Sequence, residues 1–394
     1  MADSRSIERA AAEHWFLAQG LPAVLRPGAL VRRVWRRSAP VLAGYAVITA
    51  NSILVVAISG THTIDINGNP TRNEWFVLGT LVLLLPAAAA IGWLVSRTSS
   101  AKRRIWVANG SVLVMFLGAI FGGPSPRIAT NLATSGTMVF VIVLMTATGL
   151  GSILSWAARS TLTNLAQTAG MFVRALPVVL LTVLVFFNTY VWLMAAVVTR
   201  ARLWLALTFL FLIAAAFLLS STLDRVRPIL FSPDAKATDP MPPGSTPGDP
   251  NLLADTPFAH MPDDPSVEPL RRGERINVVF IVAASQLGQV LTVSVLTGAI
   301  YFILGLILIS PRLLDSWTRG DGTSDGHLLG MTLPVPDALI QTSMFLTALT
   351  FMYLAAKAVE DKEYRAQFVD PLIENVRVTL GARDRYRSSL RAAS

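Results

Sequence analysis

The polar side chains with the most regular spacing lie in an otherwise apolar stretch, Asn277 to Ser310. Ser285, Gln289 and Thr292 follow an i, i+4, i+7 pattern, which places them on one face of a helix. In apolar surroundings, amides and hydroxyls bond to neighbouring helices or line a path for a polar solute or a lipid headgroup. We interpret them first as helix-packing groups and keep the polar path as the alternative. The residues that share this interpretation are Ser285, Gln286, Gln289, Thr292, Ser294, Asn188 and Asn51.

Two oxygen-rich segments have the composition of cation-binding loops. The segment that begins at Asp321 and includes Asp325 matches the first half of a calcium loop, but Thr332 occupies the position of the bidentate glutamate. A shorter series begins at Asp65. Because clusters of Asp, Asn and Gly also encode turns, we interpret both segments as turns and keep Asp321 and Asp325 as weak metal candidates. We expect no cofactor.

The common catalytic motifs are missing from the sequence. It contains no P-loop, no HExxH, no GxSxG and no dinucleotide-binding fingerprint. The lack of cysteine excludes disulfides, thiolate nucleophiles and thiolate metal sites. No ionisable side chain lies at the centre of an apolar run, which disfavours proton-coupled transport. We therefore predict a protein that is not an enzyme and has no catalytic residues.

The composition predicts an integral membrane protein. Of the 394 residues, 53% are hydrophobic and only 14% are charged, whereas roughly a quarter are charged in soluble proteins. A helix needs about 20 apolar residues to cross a bilayer, so the predicted fold is an all-α, polytopic transmembrane helix bundle of about eight spans. The predicted spans are Val41 to Gly60, Trp75 to Val95, Ile105 to Phe121, Thr137 to Ala157, Ala175 to Val198, Leu203 to Ser220, Asn277 to Ser310 and Ala338 to Ala358.

Two of these spans have unusual lengths. The third, Ile105 to Phe121, is short and contains Asn109 and Gly110, so a re-entrant segment is the alternative there. The seventh has 34 residues, which amounts to about 50 Å of helix at 1.5 Å per residue. We expect the seventh helix to tilt, to bend near Gly288 or Gly298, or to project into the cytoplasm.

The distribution of lysine and arginine predicts the orientation of the spans. With the N-terminus inside, 27 of these residues lie on the cytoplasmic side and 6 outside, as the positive-inside rule requires. Both termini are then cytoplasmic. The excess of arginine over lysine is typical of a high-GC bacterial genome, so we predict a multi-pass protein of a bacterial plasma membrane.

The chain divides into five predicted parts. They are a basic amphipathic cytoplasmic segment (1–40), a six-helix transmembrane part (41–220), a disordered linker (221–276), a two-helix transmembrane part (277–358) and a basic amphipathic tail (359–394). The linker contains eleven prolines between Arg227 and Leu270, a composition that does not form a packed core.

Both terminal segments have amphipathic patterns. Near the N-terminus, Phe16 and Leu21 belong to an apolar series interleaved with arginines, which predicts helices on the inner leaflet. In the tail, Leu372, Val376 and Leu380 form a helical stripe among basic residues. We expect these arginines to contact anionic lipid.

Three stretches resemble a family of actinobacterial integral membrane proteins with no established activity. They are Phe186-Phe187-Asn188-Thr189-Tyr190-Val191-Trp192, Ser285-Gln286-Leu287-Gly288-Gln289 and Asp361-Lys362-Glu363-Tyr364-Arg365-Ala366-Gln367-Phe368. The resemblance covers roughly residues 174–387 and implies a multi-pass plasma-membrane protein. In that family an acidic residue and a glutamine often flank the Val-Trp pair, where this chain has Tyr190 and Leu193.

These observations together predict an accessory or scaffold subunit of a membrane or cell-envelope assembly. A transporter or lipid-handling channel that uses the polar face of the seventh span is the alternative, and a lipid-modifying enzyme is the third. The expected partners are membrane lipids, anionic at the cytoplasmic face, and a protein that contacts the cytoplasmic segments. The net charge of +9 comes without a nucleic-acid-binding motif, so no nucleic acid is expected.

Overall fold

The computed structural model is an all-α helix bundle with one short β-hairpin, as the sequence predicts. It describes residues 2–25, 28, 30–31, 33–62, 64–66, 69–123, 125, 127–163, 183–231, 253, 256–258, 269–321, 325–328, 331–360 and 370–391. The described helices are α1 (Ala2–Ala18), α2 (Val34–Ser59), α3 (Arg72–Arg97), α4 (Ala101–Phe121), α5 (Ile128–Thr148), α6 (Leu150–Thr163), α7 (Thr189–Val197), α8 (Arg200–Phe231), α9 (Arg272–Leu308), α10 (Pro311–Thr318), α11 (Asp337–Glu360) and α12 (Asp370–Arg391). Strands β1 (Asp325–Leu328) and β2 (Met331–Pro336) form an antiparallel hairpin before α11.

Seven of the described helices are long and apolar enough to cross a membrane, namely α2, α3, α4, α5, α8, α9 and α11. The chain is therefore a multi-pass membrane protein. Helix α4 covers the short third span with 21 uninterrupted residues, about 32 Å of helix at 1.5 Å per residue. That length is enough to cross a hydrocarbon core of about 30 Å, which favours a full span over the re-entrant alternative.

The fourth predicted span, Thr137 to Ala157, is placed wrongly. Helix α5 begins nine residues earlier, at Ile128, and ends at Gly149, whose backbone is left-handed with φ +82°. The polar residues that precede Thr137 lower the hydropathy of this part of the sequence. Their hydroxyls are satisfied within the helix, as when Thr134 Oγ1 donates to the carbonyl of Thr130 at 2.9 Å.

The fifth predicted span, Ala175 to Val198, lies partly outside the described residues. On one flank of the gap, Trp156 packs in a cluster with Ile281, near the start of α9. On the other flank, Phe186 stacks on Tyr301, near the end of α9. Ile281 and Tyr301 are about 30 Å apart along the helix, so the two flanks lie on opposite sides of the bundle.

Both terminal helices lie on one side of the bundle, here called the termini side. The rings of Phe16 in α1 and Tyr386 in α12 have centroids 5.4 Å apart. They share a hydrophobic cluster with α6, with α8 and with Val278 and Ile281 of α9. We call this assembly the termini-side body. The opposite side, which carries β1 and β2, is the hairpin side.

The excess length of helix α9 lies in its first turns, which project from the bundle. It runs without a break for 37 residues, about 55 Å at 1.5 Å per residue. Its first turns are buried in the termini-side body. The helix therefore projects beyond the bundle, which is one of the three outcomes expected for the seventh span.

The termini-side body corrects two expectations. Phe16 and Leu21 are buried in protein, so the prediction that they contact the inner leaflet is wrong. Leu253 and Phe258, in the predicted disordered linker, are buried in the same cluster, so that prediction is wrong for them. Most other linker residues lie outside the described part of the chain. In the tail, the predicted stripe is confirmed, because its three leucine and valine side chains are buried.

The spans form two groups. In the first group, helices α3, α4 and α5 pack against α2. Two glycines at the end of α4 allow a close approach to α2: a Cβ on Gly118 would lie 2.8 Å from Thr49, and one on Gly122 would lie 2.5 Å from the Ile53 nitrogen. Helices α8, α9 and α11 form the second group, in which α11 packs against both of the others. A backbone bridge between Asp65 and Thr332 joins the loop before α3 to the hairpin.

Candidate functional site

The polar face predicted on α9 is mainly a helix-packing surface. Gln286 Oε1 accepts a hydrogen bond from Thr222 Oγ1 of α8 at 2.9 Å. The hydroxyls of Ser285 and Ser160 lie 3.5 Å apart, between α9 and α6. Ser294 is also fully buried and donates to its own helix at 2.8 Å. Helix packing therefore accounts for these residues.

Thr292 and Gln289 complete that face in different ways. Thr292 is half-buried and donates to the carbonyl of Gly288 at 2.8 Å. Gln289 is 2% exposed, and within the described residues no partner bonds to its amide nitrogen or its amide oxygen. Neither side chain lines the cavities described below.

The remaining polar candidates lie elsewhere. Asn188 is exposed and caps α7, where its Oδ1 accepts a hydrogen bond from the Tyr190 nitrogen at 3.0 Å. Asn51 is half-buried in α2, in the first helix group. The seven candidates thus do not converge on one site.

The two weak metal candidates lie in the loop region of the hairpin side. Asp321 is exposed in a turn after α10, and Asp325 is half-buried at the start of β1. Asp65 Oδ1 accepts a hydrogen bond from Thr332 Oγ1 at 2.6 Å, so this carboxylate links the loop before α3 to strand β2. Over the described ranges, no group of three His, Asp or Glu side chains is placed to hold a metal ion.

An apolar groove of about 760 Å³ lies between α8, α9 and α11. Its walls come from α8 and α9, its floor comes from α11, and the hairpin closes its outer end through Leu328 and Leu333. A volume of roughly 300–1,000 Å³ is usual for a site that holds a small molecule. Its wall and floor include Trp204, Phe211, Val295, Ala299, Ser343 and Phe351.

The groove is open along the surface of the spans. Trp204 and Val295 on its rim are 49% and 54% exposed, whereas Phe351 on its floor is 2% exposed. Along α11 the groove runs from Ile340 to Phe351, about 17 Å at 1.5 Å per residue. This is slightly more than half of a hydrocarbon core of about 30 Å, the depth of one leaflet.

Two glycines of α9 allow this geometry. A Cβ on Gly298 would overlap the hydroxyl of Thr347, and one on Gly305 would overlap Leu339. Both glycines therefore let α9 approach α11 closely. Gly298 also lines the groove, so its missing side chain contributes space.

A polar pocket of about 580 Å³ adjoins the groove on the hairpin side. It shares Trp204 and Leu328 with the groove, and its polar lining includes Arg200, Asp337 and Gln341. Arg200 is the first residue of α8 and Asp337 is the first residue of α11. The two cavities together have an apolar length and a polar end, which is the shape of a lipid.

The polar pocket is organised around Asp337. Arg200 Nη2 forms an ion pair with Asp337 Oδ1 and donates to the carbonyl of His327 at 2.6 Å. The His327 backbone N–H donates to Asp337 Oδ1 at 2.9 Å, and Gln341 Nε2 donates to Oδ2 at 2.7 Å. The Arg200 and Asp337 side chains are 26% and 20% exposed, so this pair is accessible from the pocket.

Two buried polar atoms beside the cavities lack partners among the described residues: Gln341 Oε1, at the polar pocket, and Ser343 Oγ, at the groove. The two residues are 4% and 6% exposed. A buried polar group without a hydrogen bond costs about 1–3 kcal/mol. Such a group beside a cavity is positioned to bond to a ligand.

The polar pocket did not follow from the sequence. Arg200 and Asp337 each stand at the end of an apolar run, where charged residues are typical of the membrane interface. Opposite charges at the starts of two spans that begin on the same side were the available signal. Sequence alone does not say that α8 and α11 are neighbours, so the pairing could not be predicted.

A second buried polar cluster lies in the termini-side body. Glu274 of α9 is 1% exposed and binds two arginines of α12. Arg383 Nη2 lies 2.9 Å from Glu274 Oε2, and Arg387 Nη2 lies 2.8 Å from Oε1. Burial alone lowers the pKa of Arg383, but the hydrogen bonds and charges of Glu274 and Asp384 outweigh burial, so the pKa is raised. Arg383 is therefore charged although it is fully buried.

Comparison of the whole chain with protein-family models, with curated proteins and with solved structures finds no match. The resemblance of residues 174–387 to actinobacterial integral membrane proteins stays a prediction. The groove, the polar pocket and the ionic cluster are the features from which a function can be inferred.

Proposed function

We propose that this multi-pass membrane protein binds a membrane lipid in the apolar groove and has a lipid-handling role. The observation that supports this function is an apolar groove, one leaflet deep, that joins a polar pocket at its end. Lipid chains reach the groove from the bilayer through its exposed rim, without crossing water. The headgroup then lies in the polar pocket. The polar face of α9, for which a polar path was the alternative to helix packing, has no part in this proposal.

The proposed role is binding rather than catalysis. Asp337 is the carboxylate of the polar pocket, and it already accepts hydrogen bonds from Arg200, from the His327 backbone and from Gln341. These three donors hold the carboxylate in a fixed position at the end of the groove. We therefore assign it to headgroup recognition.

Filling the groove tests this function. Ala299 lines the groove on α9 and is exposed, so the substitution Ala299→Phe places a ring in the groove without entering the packed core. Native mass spectrometry of protein extracted in mild detergent counts the retained lipid. We expect wild-type protein to retain one lipid and Ala299→Phe to retain about tenfold less, because the ring occupies the volume of the chain.

The matched control is Ala89→Phe, which adds the same ring to an exposed position on α3 in the other helix group. It is expected to retain lipid as the wild type does. Equal retention by Ala299→Phe and Ala89→Phe contradicts the proposed function.

An accessory-subunit role is the second candidate, favoured by the termini-side body. The buried contact between Glu274 and two arginines attaches α12 firmly to α9 outside the hydrocarbon core. A rigid body at this position is suited to contact another protein. A stoichiometric partner that co-purifies with wild type and with Glu374→Gln, but not with Glu274→Gln, supports this role; equal recovery with all three contradicts it.

We propose that the termini side faces the cytoplasm of a bacterial cell. The excess of lysine and arginine in the segments on that side supports this orientation. The test is a pair of C-terminal fusions, to green fluorescent protein and to alkaline phosphatase. Fluorescence without phosphatase activity is expected, and the reverse result contradicts the orientation.

A further inference from the structure

We propose that the polar pocket selects a phospholipid with a primary ammonium headgroup, as in phosphatidylethanolamine. This inference rests on the proposed function and specifies its ligand. The pocket combines one guanidinium and one carboxylate, so its net charge is zero and it matches a headgroup with one phosphate and one ammonium. The selectivity depends on how many hydrogen-bond donors and acceptors the pocket leaves free.

The free hydrogen-bond acceptors of the pocket match the N–H donors of a primary ammonium in number. A carboxylate offers about four acceptor positions, and Asp337 uses three of them, for Arg200, the His327 N–H and Gln341 Nε2. Gln341 Oε1 adds about two positions, and none of them is used within the described residues. The remaining positions, about three, equal the number of N–H donors on a primary ammonium.

The donors match the phosphate. Of about five guanidinium N–H donors on an arginine, those of Arg200 that bond to described residues reach Asp337, the His327 carbonyl and the Met344 sulfur. The remaining two donors are available to phosphate oxygens, for which arginine is a preferred partner. The headgroup can therefore bind without breaking the ion pair between Arg200 and Asp337.

Gln341 must move slightly before its Oε1 can accept a hydrogen bond from the ammonium. Its Oε1 is covered by protein, although the residue lines the pocket. The terminal torsion of a glutamine side chain is soft, so a modest rotation of the amide brings Oε1 toward the pocket. The hydrogen bonds from the ammonium to Gln341 Oε1 remove the cost of leaving this oxygen unpaired and offset any weakening of the bond from Nε2 to Asp337.

Other headgroups fit less well. The quaternary ammonium of phosphatidylcholine has no N–H, so it leaves Gln341 Oε1 without a donor. The headgroup of phosphatidylglycerol has no cation, so it offers no positive group to Asp337 and leaves the occupied pocket with a net negative charge. We therefore expect the pocket to distinguish three lipids that share the same chains.

The experiment uses the full chain in nanodiscs that contain equal amounts of phosphatidylethanolamine, phosphatidylcholine and phosphatidylglycerol with identical acyl chains. Native mass spectrometry after ejection from the disc identifies the retained lipid. We expect phosphatidylethanolamine to exceed each of the others about fivefold, the effect of one or two hydrogen bonds. The substitution Gln341→Leu is expected to remove the preference over phosphatidylcholine while lipid is still retained. The matched control, Gln289→Leu, removes a buried amide of α9 away from both cavities and is expected to keep the preference.

A second measurement varies the lipid and needs no variant. N-methyl and N,N-dimethyl phosphatidylethanolamine remove ammonium N–H donors one at a time, so retention by the wild type should fall stepwise. Equal retention along this series, or a preference for phosphatidylglycerol, overturns the headgroup assignment and leaves the groove intact. Retention of no lipid by the wild type overturns the proposed function itself.

Discussion

The two buried polar clusters of this protein differ in how completely they are satisfied. In the termini-side body, Glu274 uses both oxygens, which accept from Arg383, Arg387 and the backbone N–H of Arg271. At the groove and the polar pocket, Gln341 Oε1 and Ser343 Oγ have no partner among the described residues. A satisfied cluster holds two elements together, whereas an unsatisfied atom beside a cavity marks a place for a ligand. The comparison separates a structural cluster from the proposed binding site.

Breaking the Glu274 cluster is expected to have the largest effect on the stability of the protein. Glu274→Gln keeps the shape of the side chain but leaves Arg383 and Arg387 without their shared anion. Removing one partner of a buried ion pair destabilises a protein by about 3–5 kcal/mol. We expect a marked fall in the thermal unfolding midpoint in mild detergent and faster proteolysis of α12.

The matched control for this prediction is Glu374→Gln. Glu374 is also on α12 and pairs with Arg377 at 3.7 Å, but its side chain is 41% exposed. Exposed pairs contribute about 1 kcal/mol or less. Equal unfolding midpoints for the two variants contradict the structural role of Glu274.

The next effect is expected where α9 meets α11 at the floor of the groove. In Gly298→Ala the new Cβ overlaps the hydroxyl of Thr347, so the Thr347 side chain or the helix backbones must move. Overpacking of this kind costs about 1–3 kcal/mol. Thermal unfolding measures the loss, and the lipid-retention assay reports the change in groove shape.

The control for the glycine prediction is Gly110→Ala in α4. A Cβ on Gly110 has no atom within 4 Å among the described residues. Alanine favours a helix over glycine by up to about 1 kcal/mol, so this variant is expected to be slightly more stable. A loss of stability similar to that of Gly298→Ala contradicts the close-contact role of Gly298.

A smaller effect, of opposite sign, is expected at Gln289. Both polar atoms of this amide lack partners in the described part of the chain. Gln289→Leu removes an unsatisfied buried group at similar volume, a change that is neutral or stabilising by about 1 kcal/mol. A rise in the unfolding midpoint with unchanged lipid retention supports a packing position. Loss of retention instead restores the polar-path hypothesis for α9.

The smallest effect is expected at Ser343. Ser343→Ala removes a hydroxyl that bonds to no described residue, so we expect a change in unfolding free energy within about 0.5 kcal/mol. A loss above about 1 kcal/mol indicates that the hydroxyl is already satisfied. That result weakens the contrast between the two clusters.

The fold followed from the sequence where local composition decides it. Helix α9 and the stripe of α12 were predicted from apolar length and spacing, because burial of apolar surface depends on periodicity. The fourth span was misplaced because the hydropathy of residues 128–136 understates a helix whose hydroxyls bond to its own backbone. Gly149, in the left-handed conformation, then separates α5 from α6.

Neither polar site followed from the sequence. Arg200 and Asp337 are 137 residues apart, and Glu274 and Arg383 are 109 residues apart. No local sequence pattern connects any of these four charged residues to its partner, so the two ion pairs could not be predicted. Phe258, in a proline-rich segment, was missed for the same reason.

The sequence by itself determined that this chain is a helical membrane protein, because the lengths of its apolar runs match the thickness of a bilayer. Tertiary structure alone decided which helices are neighbours, and therefore where charges pair, where an amide stays unpaired and where a groove remains open. The physical reason is distance along the chain. Hydropathy is a local property of each segment, whereas an ion pair or a cavity is formed by segments that meet only when the bundle assembles.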